Sequence, residues 1–161
     1  IKIIKGKTAE LFSAACKAGA IISTNNSDEI KALERFGNEL GISYQLIDDA
    51  LDYQSENNNF DKSIGDDFKD GKISYPIIIS WEKSNIKEKK FWERVIVEQK
   101  QNTNDFSKAI GLINKHKGIE KTYELANLHA EKAIDALSIF KNSNIKESLI
   151  EVANVNLSRL N

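Results

Sequence analysis

The chain has 161 residues, 40% hydrophobic and 29% charged, which suits one globular domain and excludes a disordered chain. Its 23 basic and 24 acidic residues leave a net charge of −1, which excludes the basic footprint of a nucleic-acid binder. One proline and eight glycines argue against an all-β fold with many tight turns, and no apolar run reaches the roughly 18 residues of a membrane span. The lone Cys16 excludes an internal disulfide and fits a reducing, cytoplasmic compartment. There is no methionine, and the chain opens on Ile1-Lys2-Ile3-Ile4. The expectation is that Ile1 lies inside a helix and that a preceding part of the protein is missing.

Residues 1–23, rich in Ala, Leu and Ile, predict a first helix that Asn25-Asn26-Ser27 breaks. Asn26 is placed to cap the next helix, with Glu29 reaching back. Ile30, Leu33, Phe36, Leu40, Tyr44, Ile47 and Leu51 then recur in steps of three and four, a long amphipathic stripe from Ser27 to Asp52. The polar stretch from Ser55 to Ser74 predicts a loop, and loops of that length inside a domain usually serve a function or are disordered. Pro76 opens the apolar run Ile77-Ile78-Ile79. Its β-branched residues suit a strand, but the helical surroundings favour a buried helix turn.

Residues 86–99 and 105–116 predict two shorter helices. Tyr123, Ala126, Ala130, Ala133, Leu137 and Phe140 mark another long stripe. Asn144 with Glu147 is expected to cap a last helix whose stripe is Ile145, Leu149, Val152, Asn156 and Leu160. The fold class is therefore all-α.

Asp48-Asp49-Ala50-Leu51-Asp52 is the sharpest chemical feature. Asp48 and Asp52 are four apart, so their carboxylates share a helix face and repel. A hard divalent cation such as Mg²⁺ offsets that repulsion, and it commonly bridges carboxylates to substrate phosphates. A solvated acidic face also fits the bare motif. Its position inside the apolar stripe, between Tyr44, Ile47 and Leu51, keeps both readings open. Lys7 and Thr8 lie one helix earlier, Gln45 lies three residues before Asp48, and Lys62 and Lys72 lie in the polar stretch after it. Each lysine alone reads as solvated surface; two beside a carboxylate cluster suit a polyphosphate.

Other candidates are weaker. His116 and His129 lack ligand-spaced partners and read as surface or satisfied histidines. Cys16 among alanines reads as a small buried hydrophobe, and Trp81 and Trp92 as core. No nucleophilic triad and no glycine-rich phosphate loop is present.

Taken in order, Lys7-Thr8-Ala9-Glu10-Leu11-Phe12, Tyr44-Gln45-Leu46-Ile47-Asp48-Asp49-Ala50-Leu51-Asp52-Tyr53, Gly65-Asp66-Asp67-Phe68 and Gly71-Lys72-Ile73-Ser74-Tyr75-Pro76 resemble the C-terminal half of a trans-isoprenyl diphosphate synthase. The Gly-Asp-Asp-Phe wording and Phe91-Trp92-Glu93-Arg94 resemble bacterial long-chain members, the octaprenyl and decaprenyl diphosphate synthases. The resemblance implies an isoprenoid-synthase-like helical bundle around a central cavity, represented by its C-terminal helices across residues 1–161. It also implies a Mg²⁺-dependent prenyltransferase, acting as a homodimer, that joins isopentenyl diphosphate to an allylic diphosphate. Asp48, Asp49 and Asp52 match the family's second aspartate-rich motif, a metal site. Lys7 and Lys62 match residues that bind the allylic diphosphate, and Lys72 matches the second loop lysine. Thr8 and Gln45 match residues along the path of the developing carbocation, and Tyr44 stands where the family usually has Phe, beside isopentenyl diphosphate.

Asp61 for the usual Gly and Ser74 for the usual Thr are mild departures. The family's first aspartate-rich motif, its isopentenyl diphosphate site and its length-setting residues have no counterpart in this sequence. Other classes remain open: a non-catalytic partner subunit of a heteromeric synthase, a plain helical interaction domain, or a helical terpene cyclase. Retained aspartates argue against the first, and the Lys-Thr and Gly-Lys elements against the last.

Overall fold

The computed structural model describes residues 1–54 and 65–158, and every regular element among them is helical. The chain divides into two units, Ile1–Ile47 with Glu124–Asn161, and Asp48–Tyr123.

In the first unit, α1 (Lys2–Ile4) passes through a π-helical turn, Lys5–Ala9, into α2 (Glu10–Ser23). The expected first helix is continuous but carries one wide turn. Helix α3 spans Ser27–Leu51, one residue short of the expected end. Asn26 Oδ1 accepts the Asp28 N–H at 2.9 Å, as a cap should. The Asn26 N–H donates to Thr24 Oγ1 at 3.1 Å, so Thr24 takes the place expected of Glu29.

The core of this unit joins Phe36 and Leu40 to Ala133, Ala136, Leu137 and Ala153, with Phe12, Cys16 and Leu149 against it. Helix α8 (Gly118–Ala136) runs into a 3₁₀ turn, Leu137–Ile139. Its expected stripe is present: Ala126, Ala130, Ala133 and Leu137 are all fully buried. Two readings change. Tyr44 is exposed, while Ile42, Ser43 and Leu46 are fully buried; this part of α3 is enclosed on several sides, so a single stripe does not describe it. Helix α9 (Asn144–Ser158) is capped by Ser143, whose Oγ accepts the Lys146 N–H at 3.2 Å. Its inward face is Leu149, Ile150 and Ala153, while Ile145 and Val152 are exposed. An alanine counts little in a hydrophobicity pattern yet holds the buried position. Leu160 lies outside the described residues.

Helices α2 and α3 approach closely at two glycines. A Cβ on Gly41 would stand 2.7 Å from Ala9 Cα, and one on Gly37 would meet Cys16 Sγ at 2.9 Å. A side chain at either place forces the helices apart. His129 Nδ1 pairs with Glu39 Oε2 at 2.6 Å, tying α8 to α3, which makes it the satisfied histidine expected.

In the second unit, α4 (Asp66–Lys69) and α5 (Tyr75–Lys83) lie in and after the predicted loop. Residues 55–64 are outside the described residues. Gly65 starts α4 with φ 82°, and a Cβ there would stand 2.5 Å from the Phe106 ring. Glycine alone meets both demands. Pro76 sits in the first turn of α5, which settles the Ile77-Ile78-Ile79 run as helix.

Helix α6 (Ile86–Trp92), a second π turn (Glu93–Val97) and α7 (Asp105–Lys115) complete the unit. Tyr53, Phe68, Ile77, Trp92, Val95 and Ile113 form its core, with Trp81 and Phe106 packed on it. Arg94 grips Asp105 through two bonds of 2.9 and 2.7 Å, which hold the Asp105 carboxyl below its ordinary range. Glu88 is the polar centre of α6. It forms a capping box with Asn85, both bonds 3.0 Å, accepts from Lys115 at 2.6 Å, and meets His116 Nε2 at 3.1 Å. Among the described residues, no helix is long and apolar enough to cross a membrane.

Two outcomes are expected. Gly41→Ala destabilises the protein by about 1–3 kcal/mol through overpacking, read by chemical denaturation. Glu88 is pulled down from 4.5 to about 2, first by the Lys115 hydrogen bond and then by the Asn85 N–H. A depressed acid stabilises the fold above its unfolded value and loses that contribution as pH falls toward the folded one. The stability difference between wild type and Glu88→Gln should therefore be full above pH 4.5 and shrink as pH falls toward about 2. Thermal unfolding across that range measures it; a constant difference would show that Glu88 contributes by packing alone.

Candidate functional site

In the first unit the π turn governs the site. A π turn inserts one residue per turn into a helix, and such bulges recur at functional positions. Here it carries Lys7 and Thr8. Ala9, fully buried, seats the turn against Gly41. One helical turn beyond Gly41 lies Gln45, and the Thr8 hydroxyl donates to its Oε1 at 2.6 Å. The structure thus brings together two predicted site residues 37 positions apart. Lys7 is exposed on the same turn. Tyr44 stacks on Phe12 with ring centroids 5.6 Å apart. The wide turn escaped the sequence reading; the only local signal is Gly6 within an otherwise helical run.

In the second unit the carboxylates fall into two kinds. Asp48 and Asp52 are half-buried, four residues apart, Asp48 in the last turn of α3 and Asp52 just past its end. Asp49 is rotated away and buried, with its Oδ2 accepting the Tyr75 N–H at 3.1 Å. Asp52 Oδ2 accepts the Asp67 N–H at 3.1 Å at the start of α4. The Asp52 carboxyl is pushed up to about 6, first by burial and next by the charge of Asp67, with Asp66 and Asp48 adding to it. The Asp67 N–H opposes the rise.

Lys72 Nζ reaches Asp67 Oδ1 and Asp70 Oδ2, each at 3.0 Å, and these partners hold its ammonium above the ordinary lysine range. Lys62 lies outside the described residues. Asp66 and Asp67 belong to the Gly65-Asp66-Asp67-Phe68 motif. Their spacing, in the first turn of a helix just ahead of Lys72, was the signal that they belong to the charge cluster.

This donor set fits Mg²⁺. Among the described residues no three His, Cys, Asp or Glu side chains form a metal cage. Mg²⁺ does not need one: it is held by one or two carboxylates, several waters and substrate phosphates. Asp48 and Asp52 supply such a pair, and Asp52, raised first by burial and next by neighbouring carboxylates, is a group whose ionised form a divalent cation would favour.

The family model for polyprenyl synthetase matches residues 1–113. Octaprenyl diphosphate synthase of Haemophilus influenzae is 31% identical over 159 residues, 99% of this chain and 48% of the relative. A polyprenyl synthase from Caulobacter crescentus, complexed with calcium and isoprenyl diphosphate, superposes with a TM-score of 0.91 at 39% identity, over 98% of this chain and 48% of that one. A decaprenyl diphosphate synthase from Rhodobacter capsulatus superposes at 0.92 with 34% identity, over 99% and 49%. The chain spans about half the length of the relatives it matches. The all-α architecture, the ordered motifs and these matches agree: the chain belongs to the polyprenyl synthetase family.

Proposed function

We propose that the protein is a Mg²⁺-dependent prenyltransferase that condenses isopentenyl diphosphate with an allylic diphosphate. Its product would be a long-chain polyprenyl diphosphate of the kind that becomes a quinone side chain, and its working form a homodimer. The observation that carries this reading is the half-buried Asp48–Asp52 pair with its raised Asp52 carboxyl, in a member of the polyprenyl synthetase family. The names of relatives, octaprenyl and decaprenyl diphosphate synthases, support the long product.

The reaction begins with departure of diphosphate, which leaves an allylic cation and a polyanion. Bound Mg²⁺ would supply positive charge against the leaving group. Asp48 and Asp52 would hold it, one turn apart on one face, with Asp48, the first residue of the motif, most directly. Lys7, Lys62 and Lys72 would neutralise the diphosphate. Lys72 is an exposed ammonium whose partners are two carboxylates, so it exchanges one anionic partner for another. Thr8 and Gln45 would present preset oxygen dipoles to the electron-poor carbon chain. Their mutual bond fixes both side chains before substrate arrives, the condition under which electrostatic stabilisation is most effective. The Tyr44 ring, exposed and braced by Phe12, would lie beside isopentenyl diphosphate.

Asp48→Ala should lower turnover by about 10²–10³ while leaving the fold intact. Steady-state kinetics at saturating Mg²⁺ with circular dichroism as control decides it. A loss below about threefold would remove Asp48 from the metal site, since one strong electrostatic contact is worth far more than that.

A further inference from the structure

Helix α5 begins without a cap from its own sequence. Ser74 holds the capping position with extended backbone, φ −88° and ψ 164°, but makes no side-chain cap. Its hydroxyl instead donates to Tyr53 Oη at 3.2 Å, in a fully enclosed place. The first N–H groups of a helix need an acceptor. For Tyr75, the first residue of α5, that acceptor is Asp49, 26 positions earlier, at 3.1 Å. A carboxylate at a helix N-terminus meets both an N–H and the positive end of the helix dipole. Asp49 is only 7% exposed, and a buried carboxylate needs such compensation.

Asp49 and Tyr53 are four residues apart. Together they grip Tyr75 and Ser74, the C-terminal end of the Gly71–Ser74 connector. The other end is anchored on α4, where the Lys72 N–H donates to Asp67 O at 2.8 Å. The segment carrying Lys72 is therefore pinned on both sides, and half of the pin comes from within the aspartate motif.

We infer that Asp49 and Tyr53 are positioning residues that hold the Gly71–Ser74 connector so that Lys72 meets the substrate diphosphate, with Asp49 acting as a hydrogen-bond acceptor and not as a metal ligand. This rests on the proposed role of Lys72. The motif thus divides its labour: Asp48 and Asp52 serve the cation, and Asp49 builds the loop. An asparagine at 49 keeps an acceptor oxygen and loses the charge; an alanine loses both.

The test is isothermal titration of inorganic pyrophosphate in Mg²⁺, with amide exchange of the unliganded protein. Asp49→Asn should keep the affinity within about threefold, and Asp49→Ala should lose about tenfold, the effect of one hydrogen bond to a charged group. The Asp49→Ala/Lys72→Ala double variant should bind as Lys72→Ala does, because both act through one residue. Amides of Ile73, Ser74 and Tyr75 should exchange faster in Asp49→Ala and not in Asp49→Asn. Asp49→Asn as weak as Asp49→Ala, additive losses in the double variant, or unchanged exchange would each overturn the inference. A Lys72→Ala variant with undiminished affinity would also overturn it. If the expected pattern holds but no prenyl group is transferred, the proposed function fails and the positioning role stands.

Discussion

The unit Asp48–Tyr123 depends on one constraint: carboxylates at the end of α3 must accept backbone N–H groups from the helices that follow. Asp52 takes the Asp67 N–H and Asp49 takes the Tyr75 N–H. Neither α4 nor α5 has a side-chain cap at its own N-cap position. An uncapped helix start inside a packed domain leaves orphan donors, and a buried carboxylate without donors is costlier still. Each solves the other's problem. The arrangement also places Asp66, Asp67 and Lys72 near the motif, so the charge cluster is a consequence of how the chain is pinned.

That cluster is locally unfavourable. Burial and three neighbouring carboxylates raise Asp52 to about 6, which means the folded state holds its charge less comfortably than water would. Such strain persists where function demands it. Lys72 offsets part of it through Asp67 and Asp70. Under the proposed function the cluster is incomplete in this sense: its charges would balance only when both the cation and the diphosphate arrive.

The long elements were legible because their signals are redundant. Helix α3 shows a cap, a stripe and length together; Ala126, Ala130 and Ala133 hold a clean 3.6 period; Pro76 sits where proline starts helices. What escaped was carried by single bonds or by small residues. The π turn at Lys5–Ala9 changes one hydrogen-bond register and leaves composition untouched. Ser143 rather than Asn144 caps α9, a choice between adjacent cap-forming residues. Ala153 is inside while Val152 is outside, which a hydrophobicity pattern reads the wrong way round. Among the candidate site residues, spacing found the shared face of Asp48 and Asp52. It could not say that Asp49 turns to a helix start 26 positions later, because no local pattern encodes a long-range acceptor.

The first unit follows the same logic with glycine in place of charge. Gly37 and Gly41 are one turn apart and look like weaknesses in α3, since each adds backbone entropy without a contact of its own. Their lack of a Cβ admits the backbone of Phe12 and Ala9. Ala9 is the last residue of the π turn, so its depth against Gly41 sets where Thr8 stands, and Gln45 follows Gly41 by one turn. A threonine hydroxyl and a glutamine oxygen meet at 2.6 Å only when both helices are at that separation. The residue that enables the contact is therefore one with no side chain and no part in the chemistry. A valine at 41 would leave Thr8 and Gln45 unchanged in the sequence and separate them in space.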